Sequence, residues 1–348
     1  YILDEPSIGL HPKDTENLIG VLKNLQKLGN TIVVVEHEEE IMRAADRIID
    51  IGPKAGVFGG EIIFNGTFKQ LYKSKNSLTA AYLTGEEEIK TPLKRRKSKT
   101  KITIDGAKQF NLKNISVDIP LNCLTCVTGV SGSGKSSLIG DILYPALRKM
   151  KGISNDTQGD YTALTGNLDA IQNIEFIDQN PIGKSSRSNP VTYVKAFDEI
   201  RDLFSRQQIS KARGYKPGFF SFNVKGGRCE DCEGEGTITV GMQFMADVHL
   251  ECETCKGKRY KKETLDVLYR EKSIHDILEL SLDDALTFFA EKSDRLETKI
   301  IQKIQPLVDV GLGYLKLGQA SSTMSGGEAQ RIKLGSFLAK GSKLGSTL

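Results

Sequence analysis

The sequence predicts an α/β fold in which short buried strands alternate with helices. Three observations predict it: short apolar runs separated by helical periodicity, a glycine-rich loop between an apolar run and a helical pattern, and helical patterns near the end. Strand patterns occur at Tyr1 to Leu3, Thr31 to Val35, Ile115 to Ile119, Cys123 to Thr128 and Ile174 to Asp178. Helical patterns occur at Thr15 to Leu28, from Lys135 onward, at Ile274 to Phe289 and at Glu297 to Val310, and Ile41 to Ile51 continues the alternation.

Length and composition exclude several classes of protein. The chain has 348 residues, enough for about two domains. It contains no apolar run near the roughly 20 residues that span a bilayer, and its first residues lack a secretion signal. We therefore expect a cytoplasmic protein without a membrane anchor. The net charge of +4 is too small to identify a partner. The apolar start and the uncapped finish suggest that both ends are cuts in a longer chain.

Changes in composition divide the chain into segments. Residues 1–85 form one α/β segment, and residues 86–101 form a charged linker, because they contain almost nothing to bury. A second α/β segment covers 102–205. Residues 206–262 are rich in Gly, Lys, Arg, Cys and aromatic residues and read as an inserted module. Residues 263–348 return to helical patterning.

A phosphate-binding loop is predicted after the strand pattern at Cys123 to Thr128. Its residues match G-x-x-x-x-G-K-[ST] and open a helical pattern. Glycines let the backbone amides surround phosphates, the lysine reaches the β- and γ-phosphate oxygens, and the hydroxyl after it can bind Mg²⁺. The candidate ATP-binding residues are Gly129, Val130, Ser131, Gly132, Ser133, Gly134, Lys135, Ser136 and the adjacent Ser137.

Two further patterns contain candidate residues for phosphate chemistry. The first strand ends in Asp4 and Glu5, which suit a Mg²⁺-organising carboxylate and a carboxylate that polarises water, and the strand at Thr31 to Val35 is followed by His37. Near the end, Ser325, Gly326, Gly327 and Glu328 open a helical run to Leu338. Small residues at a helix N-terminus present their amides to a phosphate without obstruction.

The six cysteines form three Cys-x-x-Cys pairs. Two of these pairs, 19 residues apart, predict a tetrahedral zinc site with four thiolate ligands, Cys229, Cys232, Cys252 and Cys255. The third pair, Cys123 and Cys126, lies on a predicted strand where residues three apart point to opposite faces, so we expect no metal there.

Cations and aromatic residues surround the zinc cysteines. Arg213, Lys216, Lys225 and Arg228 are candidate DNA-phosphate contacts. The neighbouring phenylalanines, Phe219, Phe220 and Phe222, either stack on bases or form the core of the module, and the core is the favoured interpretation.

These patterns together resemble an ABC-type P-loop ATPase with an inserted four-cysteine zinc module and a helical signature subdomain. The acidic strand and His37 are similar to the second half of one ATPase domain, and Ser325 to Arg331 resembles the ABC signature sequence, with Met324 where Leu is usual. The full set resembles the UvrA family over nearly the whole chain. By this resemblance, residues 1–85 are the C-terminal part of a first ATPase domain, and 102–205 and 263–348 are parts of a second.

The resemblance implies further properties. Gln179 corresponds to the glutamine loop that senses Mg²⁺ and nucleotide, followed by the family-like Arg187 to Pro190. The UvrA family works as a homodimer on damaged double-stranded DNA, passes lesions to a UvrB-type helicase subunit, and uses ATP, Mg²⁺ and Zn²⁺. Asp4, Glu5 and His37 would then be catalytic residues of the first ATPase domain.

Two alternatives stay open from the sequence alone. A transporter ATPase would share the P-loop and signature but has no need of the four cysteines. A non-catalytic zinc module similar to that of DnaJ-type chaperones would share the cysteines but has no P-loop. A separate prediction concerns the first strand: it either keeps its place in the first ATPase domain or pairs beside Cys123 to Thr128, which would give a circularly permuted domain.

Overall fold

The computed structural model describes residues 1–154, 157–178, 180, 182–183, 187–241, 248–291, 294–340 and 346–348. They fall into two compact units: Tyr1–Phe176 with residues 346–348, and the described part of Ile177–Leu344. The division lies inside the predicted 102–205 segment. No helix of the described residues is long and apolar enough to cross a membrane.

The first half of the first unit contains two small sheets and several helices. Its elements are β1 (Ile2–Asp4), α1 (Pro12–Lys27), β2 (Val33–Val35), α2 (Glu39–Ala44), β3 (Ile48–Gly52), a 3-10 turn (Gly56–Phe58), β4 (Glu61–Gly66), α3 (Phe68–Leu71) and α4 (Leu78–Thr84). Strands β1 and β2 are parallel, with Ile2 opposite Val33, whereas β3 and β4 are antiparallel. Proline is compatible with the start of α1, because the first amides of a helix have no acceptor within the helix.

The second half of this unit places the predicted P-loop. It consists of β5 (Lys101–Ala107), β6 (Ile115–Pro120), a π-helix (Ser137–Leu143), α5 (Tyr144–Met150), β7 (Ala163–Gly166) and a 3-10 turn (Leu168–Ala170). The strands form an antiparallel sheet in the order β6-β5-β7. Its apolar face packs on the helices through fully buried Ile102, Ile104, Ile142 and Leu147. This packing anchors the helix that follows the P-loop.

Two predicted strands are wrong. Cys123 to Thr128 and Ile174 to Asp178 contain no strand. Within residues 1–85, where the apolar runs predicted buried parallel strands, β3 and β4 are antiparallel. Residues 86–100 form neither helix nor strand, and Lys101, the last residue of the predicted linker, begins β5.

The circularly permuted arrangement is also wrong. Strand β1 pairs with β2, and the strand beside which it would have to insert, at 123–128, is not formed. The prediction assumed that docking would bury the apolar strand residues. That burial does not occur, because Ile2 is 85% exposed and Val33 is 53% exposed.

The second unit is built mainly from helices around one core. Its elements are α6 (Pro190–Tyr193), α7 (Phe197–Ser205), α8 (Gln208–Arg213), a 3-10 turn (Pro217–Phe220), β8 (Thr237–Val240), β9 (Val248–Glu251), α9 (Lys262–Leu265), α10 (Ile274–Glu279), α11 (Leu282–Ala290), α12 (Arg295–Asp309), a 3-10 turn (Ser321–Thr323) and α13 (Gly326–Lys340). Strands β8 and β9 are antiparallel.

The predicted insertion shares this core with the segment after it. Phe220, Phe222 and Tyr260 lie in the same buried cluster as Leu307 and Ile332. Burying each such large side chain stabilises the fold by about 1.5–3 kcal/mol. Residues 206–262 are therefore not an independently packed module, and the predicted boundary at 262/263 does not appear as a break in packing.

Candidate nucleotide and metal sites

The P-loop has the backbone that its glycines predict. Gly129, Gly132 and Gly134 have φ values of 148°, 74° and 101°, which L side chains rarely adopt. A Cβ on Gly134 would lie 2.8 Å from the Leu112 side chain. The ammonium group of Lys135 donates hydrogen bonds to the carbonyls of Gly129 at 2.8 Å and Val130 at 2.9 Å. Lys135 is thus held against the loop that is predicted to bind the ATP phosphates together with it.

A carboxylate already contacts this loop. The amide of Ser131 donates a hydrogen bond of 3.2 Å to Oδ2 of Asp14, which lies in the first turn of α1. The Ser131 hydrogen bonds lower the pKa of Asp14 below its usual value. The loop therefore binds an anionic oxygen through its backbone, as a phosphate-binding loop must. Sequence reasoning missed Asp14, because it lies 117 positions before Ser131 in the chain.

The structure brings Glu5 and His37 together. Strands β1 and β2 are parallel, so both residues follow the carboxyl ends of neighbouring strands. Oε1 of Glu5 lies 3.3 Å from Nε2 of His37. Glu5 has a φ of 45°, a strained value for a residue with a side chain, and such strain concentrates at functional sites. Asp4, the last residue of β1, is exposed beside them.

A third carboxylate organises the backbone around this pair. Oε1 of Glu36 accepts a 2.8 Å hydrogen bond from the amide of Ser7, and its Oε2 accepts one of 3.2 Å from the amide of His37. Burial alone would raise the pKa of Glu36, but the hydrogen bonds from Ser7, His37 and Glu38 together outweigh the effect of burial, so the pKa is lowered. Glu36 ties the loop after β1 to the loop after β2. In the sequence, the position of Glu36 directly before His37 was the feature that could have identified it as a candidate site residue.

The predicted signature residues form a capped helix start. The hydroxyl of Ser325 accepts a hydrogen bond of 3.2 Å from the amide of Glu328, and Oε2 of Glu328 accepts one of 2.9 Å from the amide of Ser325. This reciprocal pattern is a capping box. The cap leaves the amides of Gly326 and Gly327 without an acceptor among the described residues.

Open space adjoins these two glycines. A Cβ on Gly326 or Gly327 would meet nothing within 4 Å in the described chain. Neither glycine has a positive φ, so local backbone conformation does not require glycine there. Free amides and open space at the N-terminus of a 15-residue helix suit a bound anion.

The four predicted zinc cysteines lie together. Their ligand atoms are all within 4.8 Å of one another, and all four residues are buried. The Sγ atoms of Cys229 and Cys252 are 3.9 Å apart and those of Cys232 and Cys255 are 3.6 Å apart. A tetrahedral ion with bonds of about 2.3 Å requires sulfur separations of about 3.8 Å. Four sulfur ligands at this spacing fit Zn²⁺ and exclude a disulfide, whose sulfurs are about 2.05 Å apart.

Glycines shape the turns around these cysteines. Gly236 donates its amide to Sγ of Cys232 at 3.2 Å. A Cβ on Gly234, whose φ is 83°, would lie 2.1 Å from the carbonyl of Phe222. Burial raises the pKa of the Cys232 and Cys255 thiols. A divalent ion that binds thiolates would offset this cost of burying their charge.

The four predicted DNA-contact cations differ in environment. Lys216 and Lys225 are exposed. Arg213 is exposed and lies 3.9 Å from Asp266. Arg228 is only 6% exposed, and its guanidinium lies 3.7 Å from Glu230 and 3.8 Å from Glu233. The geometry therefore suits phosphate contact at Arg213, Lys216 and Lys225, and a structural ion pair at Arg228.

The phenylalanines of this region pack into the core, as the favoured interpretation predicted. Phe220 and Phe222 are fully buried in the core. Phe219 is half-buried and stacks on Tyr215, with ring centroids 3.8 Å apart. Gln179, the predicted nucleotide sensor, lies outside the described residues.

Comparison with known proteins gives a consistent result. No protein-family model matches the chain. The UvrABC system protein A of Clostridium perfringens is 54% identical over 349 residues, covering 100% of this chain and 36% of that protein. The protein of the same name from Thermus thermophilus is 53% identical over 341 residues, covering 98% of this chain and 35% of its own length.

A solved structure agrees with the sequence relatives. The crystal structure of UvrA2 from Deinococcus radiodurans matches with a TM-score of 0.90 and 45% identity, over 98% of this chain and 40% of that one. The chain thus spans little more than a third of the length of these curated relatives.

Proposed function

Because the chain belongs to the UvrA family of ABC-type ATPases, we propose that it is part of a protein that recognises DNA damage in nucleotide excision repair, using ATP. The observation that carries the proposal is the combination of a P-loop in one unit with two features in the other. These are the capped helix start at Ser325 to Glu328, called the signature turn below, and the four-cysteine cluster. A transporter ATPase has no need of the cysteines, and a zinc module alone has no need of the P-loop.

ATP-binding residues are assigned in each unit separately. Gly129 to Ser137 surround the phosphates of one ATP, with Lys135 on the β- and γ-phosphates and Ser136 on Mg²⁺. Asp4, Glu5 and His37 act on the other nucleotide of the full-length protein, and Gln179 senses nucleotide and Mg²⁺. Bound Mg²⁺ supplies positive charge that stabilises the phosphates.

In each unit, taken by itself, the residues assigned to phosphate chemistry have distinct roles. The Glu5 carboxylate orients and polarises the attacking water, and His37, within hydrogen-bond reach, orients Glu5. The free amides of Gly326 and Gly327, with Ser325 and Glu328 holding the turn, bind the γ-phosphate. Asp4 holds Mg²⁺.

The four-cysteine cluster and its surroundings serve DNA. Cys229, Cys232, Cys252 and Cys255 hold a structural zinc ion, which keeps their closely spaced turns folded. Arg213, Lys216 and Lys225 contact DNA phosphates, while Arg228 positions the loop before Cys229. By family membership, the full-length protein forms a homodimer on damaged double-stranded DNA and engages a UvrB-type helicase subunit.

Nucleotide binding by the full-length protein tests the proposal. We expect Lys135→Ala to abolish ATP binding at one of two sites, measured by titration with a fluorescent ATP analogue, while the wild type binds at both. Lys149→Ala, which removes an exposed lysine from α5, is the matched control and should bind ATP as the wild type does. Equal binding by Lys135→Ala and wild type, or no DNA binding by either, would contradict the proposed function.

A further inference from the structure

The signature turn contains a carboxylate that needs restraint. Glu328 lies in the first turn of α13, where the helix dipole attracts negative charge. The free amides of Gly326 and Gly327 lie two residues and one residue before it. A carboxylate free to rotate there would compete with an incoming phosphate for the same donors. Its orientation therefore matters to the proposed nucleotide site.

One side chain and one backbone amide hold the Glu328 carboxylate away from the amides of Gly326 and Gly327. The hydroxyl of Tyr314 donates a 2.7 Å hydrogen bond to Oε1 of Glu328, while Oε2 accepts the amide of Ser325. Both carboxylate oxygens are thus engaged. Arg331 supports Tyr314, because its guanidinium donates to the Tyr314 hydroxyl at 3.4 Å and to the Gly311 carbonyl at 3.2 Å.

The loop that carries Tyr314 is itself firmly packed. Its neighbours Leu312 and Leu315 lie in the buried core, and the amide of Leu282 donates to the Leu315 carbonyl at 2.8 Å. Tyr314 is half-buried, so its ring has a defined place between the loop and α13. Arg331 also donates to the carbonyl of Gly327 at 3.4 Å. Tyr314 and Arg331 therefore join the signature turn to a rigid part of the core.

We propose that Tyr314 is a positioning residue for the signature turn: through Glu328, it keeps the amides of Gly326 and Gly327 open to the γ-phosphate of ATP. This inference rests on the proposed function. Tyr314 touches neither nucleotide nor metal in this scheme. Its contribution is to fix the one nearby anion that would otherwise occupy the phosphate position.

Steady-state ATP hydrolysis by the full-length protein tests the proposal. Removing a hydrogen bond to a carboxylate in Tyr314→Phe should raise KM for ATP about tenfold, with a smaller change in kcat. In a Glu328→Ala background the same substitution should have no further effect, because Tyr314 acts through Glu328.

The chain supplies a matched control. Tyr269 also donates its hydroxyl to a glutamate, Glu297, in the same core but on other elements. Tyr269→Phe therefore removes an equivalent bond and should lower Tm without changing KM. Circular dichroism and Tm confirm that each variant folds.

The outcomes separate the two claims. An unchanged KM in Tyr314→Phe, an equal change in Tyr269→Phe, or a full additional effect in the Glu328→Ala background overturns the role of Tyr314. A full-length wild-type protein that does not hydrolyse ATP overturns the proposed function, and the role of Tyr314 with it.

Discussion

The carboxylate of Glu5 lies 3.3 Å from Nε2 of His37, at the carboxyl ends of two parallel strands that pair with each other. Their relation follows from the register, in which Asp4 is opposite Val35 and each strand is followed by a short polar loop. A carboxylate and an imidazole in this arrangement can orient one water molecule.

Substitution of Glu5 should separate hydrolysis from binding. In the full-length protein carrying Lys135→Ala, which leaves only the other nucleotide site, we expect a further Glu5→Gln to lower kcat for ATP hydrolysis by about 10²- to 10⁴-fold, because a general base contributes this much. ATP affinity at that site should stay near that of the wild type. Glu16→Gln, an exposed glutamate on α1, is the control and should hydrolyse normally. Normal turnover in Glu5→Gln would show that Glu5 is not the base.

Asp14 should compete with phosphate at the P-loop. Its carboxylate accepts the Ser131 amide, so Asp14→Asn removes a negative charge beside the loop and should strengthen ATP binding severalfold, measured by calorimetry. The control is Asp46→Asn, an exposed aspartate of the same unit away from the P-loop.

The same contact has a predicted pH dependence. The folded pKa of Asp14 lies below its unfolded value, so the contact is complete above the unfolded pKa and is lost as the pH falls through the folded pKa. The difference between wild type and Asp14→Asn should therefore narrow towards acid pH. Weaker ATP binding by Asp14→Asn near neutral pH would mean that Asp14 assists the nucleotide instead.

Metal content should depend on the buried cysteines alone. We expect about one zinc per chain by elemental analysis, and close to none in Cys232→Ser with Cys255→Ser, which should also have a lower Tm. Cys123→Ser with Cys126→Ser removes the same number of thiols outside the cluster and should keep the metal. Loss of zinc from both double variants, or from neither, would contradict the assignment.

The exposed and buried cations should respond differently to substitution. Lys216→Ala with Lys225→Ala should reduce the salt dependence of DNA binding, with the slope falling by about one for each lost phosphate contact. Arg228→Ala should instead lower Tm, because its buried guanidinium balances Glu230 and Glu233. Lys299→Ala, which removes an exposed lysine from α12, should change neither. A slope unaffected by the lysine pair would remove them from the DNA surface.

The sequence alone determined the local motifs, because each depends on residues a few positions apart. The positive φ angles of the P-loop require glycine at Gly132 and Gly134. Two Cys-x-x-Cys turns are sufficient to form a metal site once they meet. Ser325 and Glu328 form a helix cap, and both lie within one four-residue segment. The long apolar periodicities likewise predicted α1 and α12.

The tertiary structure decided which distant residues meet. Asp14 and Ser131 are 117 positions apart, and no local sequence pattern at either residue predicts their contact. Likewise, composition made Arg228 equivalent to Lys225, and only packing shows that one is buried and the other exposed. Strand pairing followed the same rule: an apolar run can form a strand only where a neighbour offers hydrogen bonds, and Cys123 to Thr128 has none within the described chain. Periodicity encodes which face of an element is apolar, whereas the identity of its partner is a property of the whole packed unit.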